Sequence, residues 1–234
     1  MRVPSVRTGV VAVVAGVVLV AGCGSSEGDG GASSAAGSAS ASPSPSESES
    51  TAVEAVTEEA RKRASSATKK ALLPTDAFEK IGLEQDMAPK EDTWDWFESC
   101  RPFLASESRQ VTGHHGRWKG EGAVVDQTVV AYPDGIAEDI VAEVKKTVTC
   151  TEYSAGDQQY TKVATASLPE GIDADASHAW CMHSSEDYEV CHSVIARQDL
   201  VSSIWVIEST KGEALDALGV MTQLAAKRIA VQVS

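Results

Sequence analysis

The 234-residue chain contains no asparagine, only three phenylalanines, and 20 lysines and arginines against 34 aspartates and glutamates. The missing asparagine, beside abundant Ala and Val, is coding bias typical of a GC-rich bacterial genome and bears little on function. The shortage of basic residues says more. A formal charge of −14 repels anionic lipid headgroups and nucleic acid, so no nucleic-acid partner is expected, and neutral or cationic ligands are favoured over anionic ones. No apolar run is long enough to span a bilayer, which takes about 20 residues. The longest, residues 8–20, stops at Ala21-Gly22. The folded region also lacks G-x-S-x-G, H-E-x-x-H, a P-loop and G-x-G-x-x-G, so enzymatic chemistry has no anchor in the sequence and no enzyme is expected.

Arg2 and Arg7, the apolar run and the small residues after it together read as a cleavable export signal over residues 1–22. The stretch Leu19-Val20-Ala21-Gly22-Cys23 resembles the bacterial lipobox, which implies cleavage before Cys23 and a diacylglycerol on its thiol. Two acyl chains are enough for stable anchoring without a polybasic patch, and the expected partner is the cell membrane. Cleavage removes two arginines and takes the formal charge from −14 to −16. Residues 24–51 are nearly all Ser, Ala, Gly, Glu and Pro, a composition that cannot offset its ordering entropy. Residues 23–51 are therefore expected to form a lipidated, disordered tether with a reach of roughly 30 Å. The result is an extracytoplasmic domain held on the outer face of the cytoplasmic membrane.

Four further cysteines, Cys100, Cys150, Cys181 and Cys191, lie in a compartment that permits disulfides. Three connectivities are open. Cys100–Cys150 with Cys181–Cys191 is preferred, since the second pair flanks an expected hairpin. The rival is a metal site built from His178, Cys181, His183, Cys191 and His192. Its spacing matches no standard zinc motif, and in strands Cys191 and His192 point to opposite faces. No metal and no cofactor are expected.

Residues 52–69 have helix-forming composition, acidic residues early and basic ones late, but a weak apolar stripe; they read as a helical stalk, with the compact domain over 70–234. A short helix is expected from Thr75 to Gly82, a strand over 108–118, and another over Ala123–Tyr132 with Asp126, Gln127 and Thr128 in its middle and one wet face. Ile136, Ile140 and Val144 mark an amphipathic helix that runs to Cys150. A weaker strand follows at Thr161–Ala166. Then come three strands, Ser177–His183, Glu189–Arg197 and Leu200–Glu208, the last central because both faces are partly apolar. A closing helix over 211–229 opens with the capping box Thr210-x-x-Glu213. This is an α+β class: an antiparallel sheet with packed helices.

The phrase AYPDGIAEDIVAEVKKTVTC, the strand pair VIARQDLVSSIWV and the Leu-rich closing helix resemble the extracellular sensor domain of the mycobacterial receptor kinase PknH and the actinobacterial lipoproteins that share it. The resemblance covers residues 70–234. It implies a mixed α/β sensor-like domain with a cleft, two internal disulfides and an unidentified ligand, here without the kinase and transmembrane helix.

The most site-like local cluster is His114-His115 between Gly113 and Gly116, with Arg117 and Trp118 just after, although neighbouring histidines in a strand face opposite ways. Trp94, Trp96 and Phe97 are the other aromatic group; tryptophan is common at binding hot spots and equally common as core. His114, His115, Trp118 and Trp94 are thus the candidate ligand contacts, and no catalytic residue is assigned. The expected function is a membrane-anchored, ligand-binding, sensor-like domain for a small envelope molecule. The alternatives are a protein-interaction module of the envelope and a hydrolase whose Ser, His and Asp are brought together only by folding.

Overall fold

The computed structural model describes residues 56–91, 100, 104–132 and 135–233. Cys23, the export signal, the tether and the Trp94, Trp96 and Phe97 group lie outside the described residues. In chain order the elements are α1 Glu58–Ala71, β1 Glu84–Glu91, β2 Thr112–Lys119, β3 Val124–Ala131, α2 Ala137–Thr147, β4 Glu152–Ala155, β5 Gln158–Thr165, β6 Ala176–Ser184, β7 Glu189–Arg197, β8 Leu200–Glu208 and α3 Lys211–Gln232. Among the described residues the strands form one antiparallel sheet ordered β1-β2-β3-β8-β7-β6-β5-β4. That is the expected α+β architecture.

Alternation on the strands sorts the core into two layers. Val125, Val129, Ala179, Cys181, Cys191, Ile195, Ile204 and Val206 meet α1 and α3 on one face, while Val130, Trp180, Met182, Val194, Ala196 and Val201 meet α2 on the other. β8, burying both faces between β3 and β7, is central as its composition requires. The hairpins between β6, β7 and β8 turn on Asp187 (φ 61°) and Gln198 (φ 49°). Thr210 caps α3 by accepting from Glu213 N at 3.3 Å. Both preferred disulfides are present: Cys181 lies directly opposite Cys191, and Cys100 joins Cys150 beyond the end of α2.

Four expectations change. The helical stalk expected over 52–69 is found as α1, Glu58–Ala71, capped by Thr57, and it packs on the sheet as part of the domain. Its apolar contacts are made mainly by small residues, Ala64, Ala67 and Ala71, and buried Thr68 adds a 2.8 Å hydrogen bond shared with His114 Nδ1 of β2. Arg228 of α3 also donates to the Lys70 carbonyl. The helix expected from Thr75 shrinks to a 3-10 turn, Glu79–Ile81, that Gly82 ends in the left-handed region. The strand expected from residue 108 begins at Thr112, after a 3-10 turn at Ala105–Arg109. Edge strands β1 and β4 were not expected: EQDMAPKE is polar and holds Pro89, which an edge tolerates because one side of it makes no ladder bonds.

Deleting residues 1–69 should therefore strip α1 from a buried imidazole, whereas deleting 1–51 should not. The shorter chain is expected to lose about 2 kcal/mol or more of stability. Equal urea midpoints for the two truncations would refute the packing of α1.

Candidate functional site

The five central strands, β2 to β6 in space, pair without a register shift, whereas the β1–β2 and β5–β6 pairings are irregular. Side chains at matched positions therefore line up across the sheet. On the α2 face one such row runs Arg117, Asp126, Trp205, His192, Trp180, each directly opposite the next. Its aromatic half is a continuous stack. The Trp180 and His192 rings lie 4.8 Å apart and 27° from parallel, and those of His192 and Trp205 lie 3.9 Å apart. His178, two residues before Trp180 and on the same face, extends the stack at 5.3 Å.

The other half is ionic. Asp126 Oδ1 accepts from His115 Nε2 at 2.7 Å, and Arg117 Nε donates to both Asp126 oxygens at 2.9 and 3.1 Å. His115 joins the cluster because it sits two residues before Arg117 on the same face of β2. The side chains of His115 and Asp126 are 15% and 12% exposed, but that of Arg117 is 45% exposed. Arg117 engages Asp126 through Nε and also feels the charge of Asp86 on β1, and the N–H groups of its two outer nitrogens can donate to an incoming acceptor.

Burial alone would raise the Asp126 pKa; the hydrogen bonds from His115 and Arg117, reinforced by their charge, outweigh it and hold the carboxylate below its ordinary range. The same hydrogen bond pushes the Arg117 guanidinium up. His192, fully buried, is driven down to about 3 by desolvation, with only weak opposition from Asp126, so the ring inside the stack is neutral near pH 7.

The structure divides the histidine cluster noted in the sequence. His115 reaches the ionic group, but His114 faces the other way onto Thr68, and burial lowers its pKa. Trp118 is wholly buried, edge-on to Phe78 at 5.3 Å, and donates to the Thr75 carbonyl. Both serve the layer under α1. The candidate contacts His114, His115 and Trp118 are therefore split between the two faces, as neighbouring strand positions require, with Arg117 on the face of His115. Trp94 lies outside the described residues. Nor do the residues of the rival metal site converge: Cys181 and Cys191 are bonded to each other on the α3 face, while His178 and His192 stack on the α2 face. Sequence reading missed Asp126, Trp205 and His192 as neighbours. The only local signal was a carboxylate in the middle of a β-branched strand.

No protein-family model matches this chain, and no curated protein matches it. Among solved structures, the extracellular domain of PknH from Mycobacterium tuberculosis is similar with a TM-score of 0.52 at 13% identity, over 74% of this chain and 96% of that one. An uncharacterised protein from Mycobacterium smegmatis, a Rv0999 ortholog, gives a TM-score of 0.37 at 12% identity, over 69% of this chain and 96% of that one. The PknH likeness bears out the expected resemblance at the level of fold.

A histidine held neutral in the folded state makes stability depend on acid. Between about pH 3 and 6.5 the unfolded chain takes up a proton that His192 refuses in the fold, so stability rises with pH across that window and levels off above it. His114 and His178, also lowered by burial, act in the same direction. His192→Gln should remove up to about 1.4 kcal/mol per pH unit of this slope. Urea unfolding at pH 4.5, 5.5 and 7.5 measures it, and an unchanged slope would contradict the burial of His192.

Proposed function

We propose that this chain is a lipid-anchored extracytoplasmic lipoprotein whose domain binds a ligand, in the manner of a sensor domain, at the Arg117–Asp126–Trp205 face of the sheet. The observation that carries the binding reading is the exposed guanidinium of Arg117, fixed through Nε by a buried carboxylate and continued by a row of rings. A preset arginine fork beside half-buried Trp205 suits a ligand with hydrogen-bond acceptors next to a flat or apolar body. Rigid placement on paired strands reduces the entropy lost on binding.

Binding without chemistry fits the same geometry. Asp126, kept ionised by hydrogen bonds from His115 and Arg117, is a poor base, and the hydroxyl hydrogen-bonded to His114, that of Thr68, is fully buried. Export is supported by the two disulfides, which suit an oxidising compartment, and by the fold shared with an extracellular domain. The Leu19–Cys23 lipobox supplies the anchor.

Two experiments test these parts separately. Cys23→Ser should abolish incorporation of labelled palmitate and release the protein from the membrane fraction; retention with label would overturn the anchor. Residues 52–234, recovered from an oxidising host compartment, should show a native mass above the denatured, non-reduced mass by a discrete increment. Arg117→Gln should lose that increment while keeping both disulfides. An increment that survives Arg117→Gln would place the ligand elsewhere, and its absence from the unsubstituted protein would overturn binding of a retained ligand.

A further inference from the structure

The α3 face of the sheet carries a separate feature. Between β5 and β6 the chain does not turn tightly but runs as a strap, 166–175, on the α3 side of the sheet. Pro169 packs the strap against α3. Gly219 is buried, and a Cβ there would lie 3.0 Å from Pro169 Cγ, so glycine is what allows Pro169 to press on the helix. On either side of the strap the packing opens, into a cavity of about 530 Å³ towards α3 and one of about 310 Å³ towards His178.

The larger cavity lies in the range of roughly 300–1,000 Å³ usual for small-molecule sites. Its walls are Ala166, Leu168 and Pro169 from the strap and Leu215 and Val220 from α3, and its lining includes Cys181 of the cross-strand disulfide. That disulfide fixes the two strands beneath it. Val220 is 56% exposed, and Leu224, four residues on and so one turn further along the same helix face, is 37% exposed. The charged lining residues are Lys211 and Asp216, with Gln223 also present. Their charges cancel, so the lining itself favours neither anions nor cations.

We propose that the cleft between α3 and the 166–169 strap is a second binding site, taking a small uncharged amphiphile: an apolar body against Leu168, Pro169, Leu215 and Val220, and a polar head at Lys211, Asp216 and Gln223. The site is independent of the Arg117 face, which lies on the opposite side of the sheet.

The test uses the neutral fluorophore N-phenyl-1-naphthylamine, excited where tryptophan does not absorb, with residues 52–234. Saturable one-to-one enhancement is expected. Val220→Trp fills the mouth of the cleft from an exposed position that the fold tolerates, and should weaken binding at least tenfold. Val231→Trp, at a valine on the same helix that is 72% exposed and outside the cleft, should bind as the unsubstituted protein does, and so should Arg117→Gln. Absence of saturable enhancement, undiminished binding by Val220→Trp, or equal loss in Val231→Trp would each overturn the proposal. Loss in Arg117→Gln would assign the probe to the Arg117 face and overturn it too.

Discussion

The pairing of β3 with β8, unbroken from Val124 opposite Ile207 to Ala131 opposite Leu200, is the constraint on which the rest depends. It joins the N-terminal strands β1–β3 to the C-terminal strands β4–β8 and makes one sheet of two local assemblies. Both faces of that seam are used. A slip of one residue would exchange them, placing Asp126 under α3 and Val125 on the α2 side. Three unbroken neighbouring pairings, β2–β3, β8–β7 and β7–β6, carry the register outward, so the row from Arg117 to Trp180 follows from backbone geometry.

The two faces solve the problem of buried polar groups differently. Towards α1 and α3, polar side chains tie elements together in pairs and short chains. Gln127 accepts from Leu73 N and donates to Ser202, Ser193 meets Thr222, and His114 meets Thr68. Each bond satisfies a group that would be costly to bury alone. On the α2 face the polar atoms belong mainly to rings and to one ion cluster. There the energy comes from ring stacking and from a buried carboxylate compensated by two donors. Such a face is rigid up to its edge at Arg117, where the charge meets solvent.

The disulfides follow this division. Cys181–Cys191 locks β6 to β7 on the α3 face, while Cys100–Cys150 ties the end of α2 to the segment that leads back into β2. The two bridges brace opposite layers of one sheet. The strap between β5 and β6 is held by neither; backbone hydrogen bonds from Ala166 to Ala179 and from Asp175 to Ala196 fix its two ends, Leu168 and Ile172 pack on the core, and Pro169 meets Gly219 of α3.

Local chemistry was legible where local chemistry decides. The two hairpins from Ser177 to Glu208, the capping box at Thr210, the amphipathic α2 and the Cys181–Cys191 pair all depend on residues near in sequence, and the sequence alone determined them, together with the net acidic charge. Edge strands β1 and β4 were not legible, because one-sided pairing tolerates proline and polar runs that a central strand would reject. Nor was the docking of α1, since its apolar stripe is mostly alanine and its buried Thr68 finds its partner 46 positions away. The ionic and aromatic row was the least legible: Arg117, Asp126, Trp205, His192 and Trp180 become neighbours only when the sheet fixes their register. Tertiary structure alone decided that row and the cleft beside α3, because both arise from the alignment of distant segments, to which no single stretch of chain commits.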